Sequence, residues 1–492
     1  MGSVLRLTVL GLVALAALSP FAAPSTSKRA AAKPNPNQNW LSYGHDGQLT
    51  NYLNPGLNAA AARRLRQVWT KKLDGGIVAS PLYVSGSTAT ARMKDTLIVA
   101  TESGSVYALR PTNGTVLWTR KFGVVDSEAS CGPWGISSTG AIDLKRGVVY
   151  VISADGWLHA LDLRTGAERR GWPISITADE DEIEYVWGGL RLLRNTLYVP
   201  VASYCDVGDD EDEEEDEEEF ANGRLVAVDV DQAAQTAVFD PVRGDDNLGG
   251  IWGWGGAAID PAGQFLFTGV GNSHTFDEDC NCIVDDAGYG DSVVKLRPDL
   301  RVSAAGRPAG YPSTGDLDFG SAPLLFQPPG CPPLAAANSK IGAVFVWNRN
   351  AMAAGPVANI PVGGGYAFVG QPSYSPALRM IYVAGENLPW VTPRVGDGVA
   401  AFSVDKRCRF HLQWRTNVGS GPAPPPLVLG DVVIAAGGFG GGYAAIAART
   451  GKALWRFRTS AAALAPVIAA KGRVYAGDFG GTLRVFAPKG PD

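Results

Sequence analysis

A short motif recurs along this chain at intervals of roughly 40 to 50 residues, a period typical of repeat architectures. Each copy joins an apolar strand to a second strand through a Thr-Gly or Asn-Gly turn, and the second strand often ends in Trp. The clearest copies are Gly104–Leu109 with Asn113-Gly114 and Trp118, Gly156–Asp162 with Thr165-Gly166, and Gly441–Ile446 with Thr450-Gly451 and Trp455. Strands repeated at this period predict blades arranged in a ring, which offers one axial place for a ligand.

The copies of the strand core indicate eight blades. They are Ala108-Leu109, Ala160-Leu161, Ala227-Val228, Lys295-Leu296, Val346-Trp347, Ala401-Phe402, Ala445-Ile446 and Val485-Phe486. The last copy, which ends near Pro488, lacks a final strand, whereas Trp40–Trp69 supplies a lone strand ending in Trp before the first full repeat. We therefore predict an all-β fold: an eight-bladed β-propeller of four-stranded blades over residues 39–488, whose last blade is closed by the N-terminal strand.

The N-terminus has the features of a secretory signal. Arg6 supplies positive charge, Leu7–Leu18 is a short apolar stretch, and the small pair Ala22-Ala23 follows. We predict a signal peptide over residues 1–24, a disordered lead-in over residues 25–38, and a secreted or extracellular protein, periplasmic in a bacterium with two membranes. The apolar stretch is too short to span a bilayer and no later segment is long enough, so no membrane span is expected.

Much of the negative charge is concentrated in one run. The formal net charge is −5, and Asp209–Glu219 is entirely acidic. The rest of the chain is mildly basic, and nothing in it predicts a nucleic-acid partner. The run interrupts blade three within an insertion over residues 206–221, which we expect to be a solvated, disordered loop. Gathering cations or docking a basic partner is the alternative role.

Six cysteines in an exported chain predict disulfide bonds. Cys280 and Cys282 are too close in sequence to close an ordinary loop. Either each pairs elsewhere, for example with Cys331, or the two bond to each other. No Cys-x-x-Cys-His motif occurs, so we expect no covalent c-type haem.

The first residues of the predicted fold resemble a known family. Asn39–Asp46, followed by Leu65 and Trp69, is similar to the opening of the quinoprotein dehydrogenases. These are eight-bladed propellers that bind pyrroloquinoline quinone (PQQ), and they include methanol, ethanol and polyvinyl-alcohol dehydrogenases. The repeats resemble that family's blade motif over nearly all of the mature chain. The motif is specific for the fold but says little about the cofactor, because non-catalytic scaffold propellers share it.

A tryptophan pair in blade four resembles part of the family's cofactor site. Trp252-Gly253-Trp254 precedes Asp260-Pro261. In the family the first Trp stands six residues before an Asp-Pro and stacks under the quinone, and by that spacing Trp254 is the match. An aromatic plate suits a flat quinone, since ring stacking adds to area burial. The other interpretation is a core Trp that closes the waist of the propeller.

A second segment of blade four resembles a calcium ligand site. Thr268–Asn272 is similar to the family's Gly-Thr-Gly-Asn, whose Asn gives its side-chain oxygen to a calcium ion that also grips the quinone. The resemblance assigns Asn272 as a metal ligand, and an amide oxygen suits a hard cation. The alternative is an Asn that fits a turn with positive φ.

Blade five carries the residues that resemble the family's catalytic groups. Asp316–Gly320 is similar to the Asp-x-Asp-Phe-Gly form of the polyvinyl-alcohol enzymes. The resemblance makes Asp318 the base that removes the hydroxyl proton and a calcium contact, with Asp316 beside it at the cofactor. Lys340, in Lys340–Phe345, is similar to the Lys that donates to the quinone oxygens and stabilises the reduced cofactor. The alternatives are a turn-capping Asp and a surface hairpin Lys.

Blades one to three depart from the family's pattern. The adjacent Cys-Cys pair is absent, and Cys131 stands alone near its position. The blade-three calcium-binding Glu falls near Asp206, which we assign as the substitute metal ligand. The blade-one Glu that contacts the quinone falls near Val78-Ala79, where there is no carboxylate. The half of the site in blades four and five is therefore expected to be present, and the other half altered.

Three functions are compatible with these residues. The first, which we favour, is a PQQ- and calcium-dependent oxidoreductase that acts on a small alcohol or polyol and passes electrons to an external acceptor. The second is a non-catalytic propeller that binds a protein or a cell-surface polymer. An enzyme of different chemistry has less support: no Gly-x-Ser-x-Gly elbow is evident, and the four His lie in different blades, with His274 the one placed to face the funnel.

Overall fold

The computed structural model describes residue 2 and residues 39–86, 93–125, 132–177, 184–204, 221–243, 247–277, 282–284, 287–312, 317–363, 370–385, 398–419 and 423–489. The chain divides into two units, residues 1–35 and residues 36–492, and the architecture below belongs to the second. The segments assigned to a signal peptide and a lead-in lie outside the described residues except for residue 2, and so does the acidic run Asp209–Glu219.

Eight four-stranded antiparallel blades contain most of the described strands and confirm the predicted all-β, eight-bladed propeller. From the axis outward the strands are Leu82–Val84, Thr96–Ala100, Ser105–Leu109 and Val116–Lys121 in blade 1; Ala141–Asp143, Val148–Ile152, Trp157–Asp162 and Ile174–Ser175 in blade 2; Arg191–Leu193, Thr196–Ser203, Arg224–Asp229 and Ala234–Phe239 in blade 3; Ala258–Ile259, Leu266–Gly269, Val293–Leu296 and Val302–Gly306 in blade 4; Leu324–Phe326, Leu334–Ser339, Ala343–Asn348 and Ala358–Pro361 in blade 5; Ser373–Ser375, Met380–Gly385, Gly398–Val404 and Phe410–Thr416 in blade 6; Leu427–Leu429, Val432–Ala436, Tyr443–Ala447 and Ala453–Phe457 in blade 7; and Ile468–Ala470, Arg473–Gly477, Thr482–Pro488 and Leu65–Lys72 in blade 8.

A few short elements supplement the blades. Glu184–Tyr185 extends the sheet of blade 3, and a small separate sheet is built from Asn247–Leu248, Ser273–Asp277 and Cys282–Val284. The helices of the described residues are the single turn Ala59–Ala62, capped by the side chain of Asn58, and the 3-10 turn Met352–Ala354. None of the described helices is long and apolar enough to cross a membrane.

The N-terminal strand closes the ring, as predicted. Leu65–Lys72 pairs antiparallel with Thr482–Pro488, the last strand of the chain, from Leu65 opposite Pro488 to Lys72 opposite Thr482. The backbone hydrogen bonds of blade 8 therefore join the two ends of the fold. This pairing covers an edge that an open array of blades would expose.

The Trp and the Gly of the recurrent motif meet across neighbouring blades. Trp118 of blade 1 packs on Gly166 of blade 2, where a Cβ would lie 2.7 Å from the indole, and its Nε1 donates to the carbonyl of Leu163 at 3.0 Å. Gly166 also has φ +70°, a conformation that other residues adopt at a cost. The same contacts join Trp69 to Gly114 and Pro111, and Trp414 to Gly451 and Ala448. The turn thus needs glycine for two independent reasons.

The segment before the closing strand lines the axis. Residues 40–51 hydrogen-bond the innermost strands in blade order. The backbone bonds link Trp40 with Tyr83, Leu41 with Ile142, Gly47 with Ile259, Gln48 with Leu325, Thr50 with Tyr374, and Asn51 with Val428, and Tyr52–Leu53 then runs parallel to Leu427–Leu429. In blade 3 the contact is made by a buried side chain: Arg191 donates to the carbonyl of Tyr43 at 2.7 Å and to Ser42 Oγ at 2.8 Å.

A disulfide bond joins Cys331 of blade 5 to Cys408 of blade 6, with the Cα atoms 5.7 Å apart. The suggested pairing of Cys280 or Cys282 with Cys331 is therefore wrong. Cys331 follows the first strand of its blade and Cys408 follows the third, so both lie at one end of the propeller, because neighbouring strands run in opposite directions. Cys282 follows the second strand of blade 4, at the other end. Cys131, Cys205 and Cys280 lie outside the described residues.

Candidate active site

The candidate site residues gather where the second strand of each blade leads into the third, which we call the insertion end. Asp318 precedes the first strand of blade 5, and Lys340 occupies the turn after its second strand. Lys340 Nζ lies 2.9 Å from Asp318 Oδ1, and the two side chains are only 9% and 2% exposed. The backbone N–H of Lys340 also donates to the carbonyl of Asp318 at 3.0 Å. One hairpin therefore fixes both the charge and the position of the carboxylate.

Trp252 of blade 4 completes the surroundings of this ion pair. Its Nε1 donates to Asp318 Oδ2 at 2.6 Å, and Lys340 Nζ lies 4.7 Å from the centroid of its indole ring. A side chain on Gly320 would collide with the same indole, and a Cβ on Gly271 would lie 3.0 Å from Asp318 Oδ2. The glycines of the Asp-Phe-Gly and Gly-Asn segments thus leave room for Trp252 and Asp318 to meet.

The tryptophan in contact with Asp318 and Lys340 is Trp252, whereas the sequence spacing selected Trp254. Trp254 is 6% exposed and packs in a hydrophobic cluster with Tyr43, Ala258 and Phe267, which is the core alternative foreseen for it. The stacking role itself stays a prediction.

The metal ligands assigned from the sequence are only partly within the described residues. Asn272 adjoins Gly271 and is therefore close to Asp318; its carbonyl accepts from Gly249 N–H at 2.6 Å. Asp206 and Asp316 lie outside the described residues, and for His274 only the backbone is described. Across the described ranges no three His, Cys, Asp or Glu side chains gather into a metal-binding group. The assignment of Asn272, Asp318 and Asp206 as metal ligands stays a prediction.

A second buried carboxyl, which sequence reasoning missed, lies at the same end in blade 1. Glu102 Oε2 accepts from Gly135 N–H at 3.0 Å, and Ser137 Oγ lies 3.0 Å from Oε1. Ser137 Oγ is also 3.0 Å from Tyr185 Oη, which donates to the carbonyl of Gly135 at 2.7 Å. Burial raises the pKa of Glu102 to about 7, against the lowering effect of these hydrogen bonds. Its carboxyl therefore changes its proton occupancy near neutral pH.

The sequence feature that could have identified Glu102 is its charge at a position where two other blades carry apolar residues. Glu102 occupies a turn position that carries Ala154 in blade 2 and Phe479 in blade 8. The backbone N–H of Glu102 donates to the carbonyl of Gly76 at 2.8 Å. Glu102 is thus next to the segment, around Val78-Ala79, where a blade-one carboxylate was sought and not found.

An aromatic wall connects the two carboxyl groups. Tyr185 lies 4.6 Å from Trp187 and 5.6 Å from Tyr204, measured between ring centroids. Trp134 and Trp252 pack against the cluster that these three residues form. Tyr185 belongs to the hydrogen-bonded group of Glu102, and Trp252 holds Asp318, so the insertion end has a continuous apolar lining from blade 1 to blade 5.

A known protein family matches only part of the chain. The family described as outer membrane protein assembly factor BamB matches residues 46–172 and 402–490. The matched segments are blades 1 and 2, the outer half of blade 6, and blades 7 and 8. Blades 3 to 5, which contain Trp252, Asp318 and Lys340, lie outside the match.

Two curated relatives are alcohol dehydrogenases by name. Quinohemoprotein alcohol dehydrogenase ADH-IIG of Pseudomonas putida is 25% identical over 303 residues, which are 55% of this chain and 38% of that protein. Polyvinylalcohol dehydrogenase of a Pseudomonas species is 26% identical over 449 residues, 83% of this chain and 65% of that protein. The matched part of the chain spans less than two thirds of either relative. Since one relative is a quinohemoprotein, the absence of haem stays a prediction.

Solved structures share the fold. The quinohemoprotein alcohol dehydrogenase of Pseudomonas putida HK5 has a TM-score of 0.70 at 16% identity, over 93% of this chain and 81% of that chain. A europium-containing methanol dehydrogenase has 0.70 at 16%, over 92% and 98%. BamB of Moraxella catarrhalis has 0.56 at 15%, over 86% and 99%. The chain is an eight-bladed β-propeller that is similar in fold to these proteins. At these identities the likeness establishes the fold alone and not the activity.

Proposed function

We propose that this eight-bladed propeller is an oxidoreductase that oxidises an alcohol or polyol with PQQ and calcium, passes the electrons to an external acceptor, and acts outside the cytoplasm. The observation that carries the proposal is the buried ion pair of Asp318 and Lys340, held at 2.9 Å beside Trp252. A propeller needs no such pair to be stable, because burying two charges costs several kcal/mol of desolvation. The names of the similar dehydrogenases support the reaction class.

The described residues of blades 4 and 5 fit the cofactors that this reaction class implies. The carboxylate of Asp318 and the amide of Asn272 offer the oxygen ligands that calcium takes. Trp252 offers an aromatic face and Lys340 a cation for quinone oxygens. Asp206 and Asp316 are proposed to complete the ligand set. When bound, PQQ accepts two electrons from the alcohol carbon, and calcium draws charge from the quinone oxygens.

The chemistry expected of the chain's own residues is proton removal. Oxidation of an alcohol to a carbonyl compound removes the hydroxyl proton together with a hydride from the same carbon. Asp318 is the base: Lys340 and the Trp252 N–H stabilise its ionised form, so that it is unprotonated when the hydroxyl arrives. Once Asp318 takes the proton, the charge of Lys340 is no longer balanced and can stabilise negative charge that develops nearby.

The test is reconstitution of the purified protein with PQQ and calcium, followed by dye reduction with a panel of alcohols and polyols. Asp318→Asn keeps the shape and loses the base, so we expect at least about a 100-fold lower kcat with quinone binding retained. Asp299→Asn, an exposed carboxylate in the hairpin between the last two strands of blade 4, serves as the matched control. Binding of PQQ is measured by its quinone absorbance. If the wild-type protein does not bind PQQ, the proposal is wrong.

One observation favours a second candidate function, a non-catalytic scaffold. The family profile that matches blades 1, 2 and 6 to 8 is described as an outer membrane assembly factor, and one such protein shares the fold. A scaffold would bind a protein partner through its loops and would be indifferent to Asp318→Asn. Dye reduction abolished by that variant excludes the scaffold as the sole role.

A further inference from the structure

The junction between blades 4 and 5 lacks the Trp contact that joins blade 8 to blade 1, blade 1 to blade 2 and blade 6 to blade 7. In blade 1 the indole N–H of Trp118 reaches the next blade's turn carbonyl, at Leu163. In blade 4 the residue that takes the place of this Trp is Ala304, which pairs with Lys295. Lys295 Nζ donates instead to the carbonyl of Arg349 at 3.1 Å, the equivalent carbonyl of blade 5. An ammonium group therefore replaces a neutral indole at this junction.

The residue that supplies this carbonyl is itself a buried cation. Arg349 is 8% exposed, and within the described residues its guanidinium makes no hydrogen bond or ion pair; its Nε is sealed from solvent without a partner. Arg349 Cζ lies 5.9 Å and Lys295 Nζ 5.8 Å from the centroid of the Phe267 ring. Lys295 Nζ also lies 4.0 Å over Phe265. Two cations thus converge on one aromatic ring.

The electrostatics of this junction is unfavourable for the protein alone. Burial lowers the pKa of Arg349 and of Lys295, and the charge of Arg349 lowers that of Lys295 further. The carboxylate that opposes them is Asp260, but it accepts the backbone N–H groups of Gln264 at 2.6 Å and Phe265 at 2.7 Å. A buried guanidinium nitrogen without a hydrogen-bonding partner, such as Nε of Arg349, is uncommon, since its desolvation is then uncompensated.

We propose that the junction of blades 4 and 5 is a binding site for a compact oxyanion, held by Arg349 and Lys295. A planar guanidinium matches the geometry of phosphate, sulfate and carboxylate, and an anion would supply the missing partner. The ligand is compact because Arg349 is only 8% exposed. It is separate from the candidate active site: Lys340 and Arg349 lie at opposite ends of Ala343–Asn348, roughly 20 Å apart at the rise of an extended strand.

The test uses the full protein without added cofactor and titrates inorganic phosphate, sulfate or acetate at constant ionic strength, with chloride as the reference. We expect phosphate to raise the Tm and to broaden its ³¹P resonance in the presence of wild-type protein. Arg349→Gln and Lys295→Gln should each weaken phosphate binding at least about tenfold, through loss of a charge-assisted contact. Arg301→Gln, whose side chain is 77% exposed in the neighbouring hairpin, is the matched control and should bind as wild type.

Each result decides the proposal. A Tm rise that chloride reproduces at equal ionic strength, or binding that survives in both Gln variants, overturns it. Comparing the Tm rise with phosphate, sulfate and acetate identifies which class of oxyanion the site binds. Should Arg349→Gln fail to fold, Lys295→Gln and the ³¹P titration of wild type still decide, because unchanged ³¹P line width rules the site out. The outcome does not depend on the proposed oxidoreductase activity.

Discussion

At the scale of single residues, the informative positions are those that break the repeat. Glu102, Lys295 and Asp318 are charged, whereas the positions equivalent to Glu102 in blades 2 and 8, and to Lys295 in the other seven blades, carry apolar residues. Charged residues are rarely buried without a reason, because water must be removed from them. Each of the three is partly or fully buried and engaged with a neighbouring charge or hydrogen-bonding group. These exceptions are therefore the positions at which we propose functional sites.

Glu102 gives the protein a predictable dependence of stability on pH. Its pKa is raised to about 7 in the folded state, while an unfolded Glu titrates near 4.3, so the folded state holds the extra proton between these values. The free energy of unfolding should then fall as pH rises from about 4.5 to 7.5, by about 3 kcal/mol at 1.4 kcal/mol per pKa unit. Glu102→Gln should lack this component.

The measurement is urea unfolding of wild type and Glu102→Gln across that pH range. The unfolding free energy of wild type should fall steadily relative to that of Glu102→Gln as pH rises. If the unfolding free energies of wild type and variant change in parallel with pH, Glu102 has the same pKa in the folded and unfolded states. That result would contradict the prediction that burial raises the pKa of Glu102.

At the scale of elements, three pairs of neighbouring blades are joined by a strand-end Trp that packs on the Thr-Gly or Asn-Gly turn of the next blade. Trp118 on Gly166 combines an apolar contact with a hydrogen bond to Leu163. This arrangement explains why the motif pairs Gly with Trp: the two residues of one contact come from successive copies. In blade 4, Lys295 donates the equivalent hydrogen bond, to the carbonyl of Arg349, and no indole is present at this position.

Gly166→Ala should destabilise the fold for two separable reasons. The φ of +70° costs an alanine about 1–2 kcal/mol, and its Cβ, 2.7 Å from Trp118, adds overpacking of about 1–3 kcal/mol. Gly472→Ala is the matched control, since Gly472 has φ +73° with no atom within 4 Å of the added Cβ. Denaturant unfolding should show the larger loss for Gly166→Ala, and equal losses would mean that the indole yields without cost.

At the scale of the whole molecule, the ring is secured from inside as well as at its edge. Residues 40–51 bond the inner strands of the first seven blades in order, and Leu65–Lys72 then completes the eighth. Contacts between residues so far apart in sequence are slow to form, because loop closure precedes them. The N-terminal segment can therefore make all of its contacts only after every blade has formed.

Arg191→Met should release this segment locally. Arg191 is buried and donates to Ser42 and to the Tyr43 carbonyl, and burial lowers its pKa to about 10, so it is charged at neutral pH. Loss of hydrogen bonds from a charged donor should cost about 2–3 kcal/mol. We expect faster proteolysis within residues 39–53, with far-UV circular dichroism unchanged. The exposed Arg164→Met is the control, and equal cleavage rates in both variants would contradict the role of Arg191.

The sequence by itself determined the blades, their number and the closing strand. Alternating apolar residues, Gly in turns and Trp at strand ends are local sequence features. Because each copy of the repeat predicts the same local structure, an ambiguous copy can be interpreted from the others. It also selected Asp318 and Lys340 as a site, which the structure places in contact.

Only the tertiary structure decided which side chains meet. It placed Trp252 rather than Trp254 at Asp318, joined Cys331 to Cys408, and put Glu102 and Arg349 in surroundings that no local pattern encodes. The physical reason is that a side chain's partners in a propeller come from neighbouring blades and from the axis. Contacts between distant segments depend on the closed ring, and a residue's own neighbours in sequence carry no record of them.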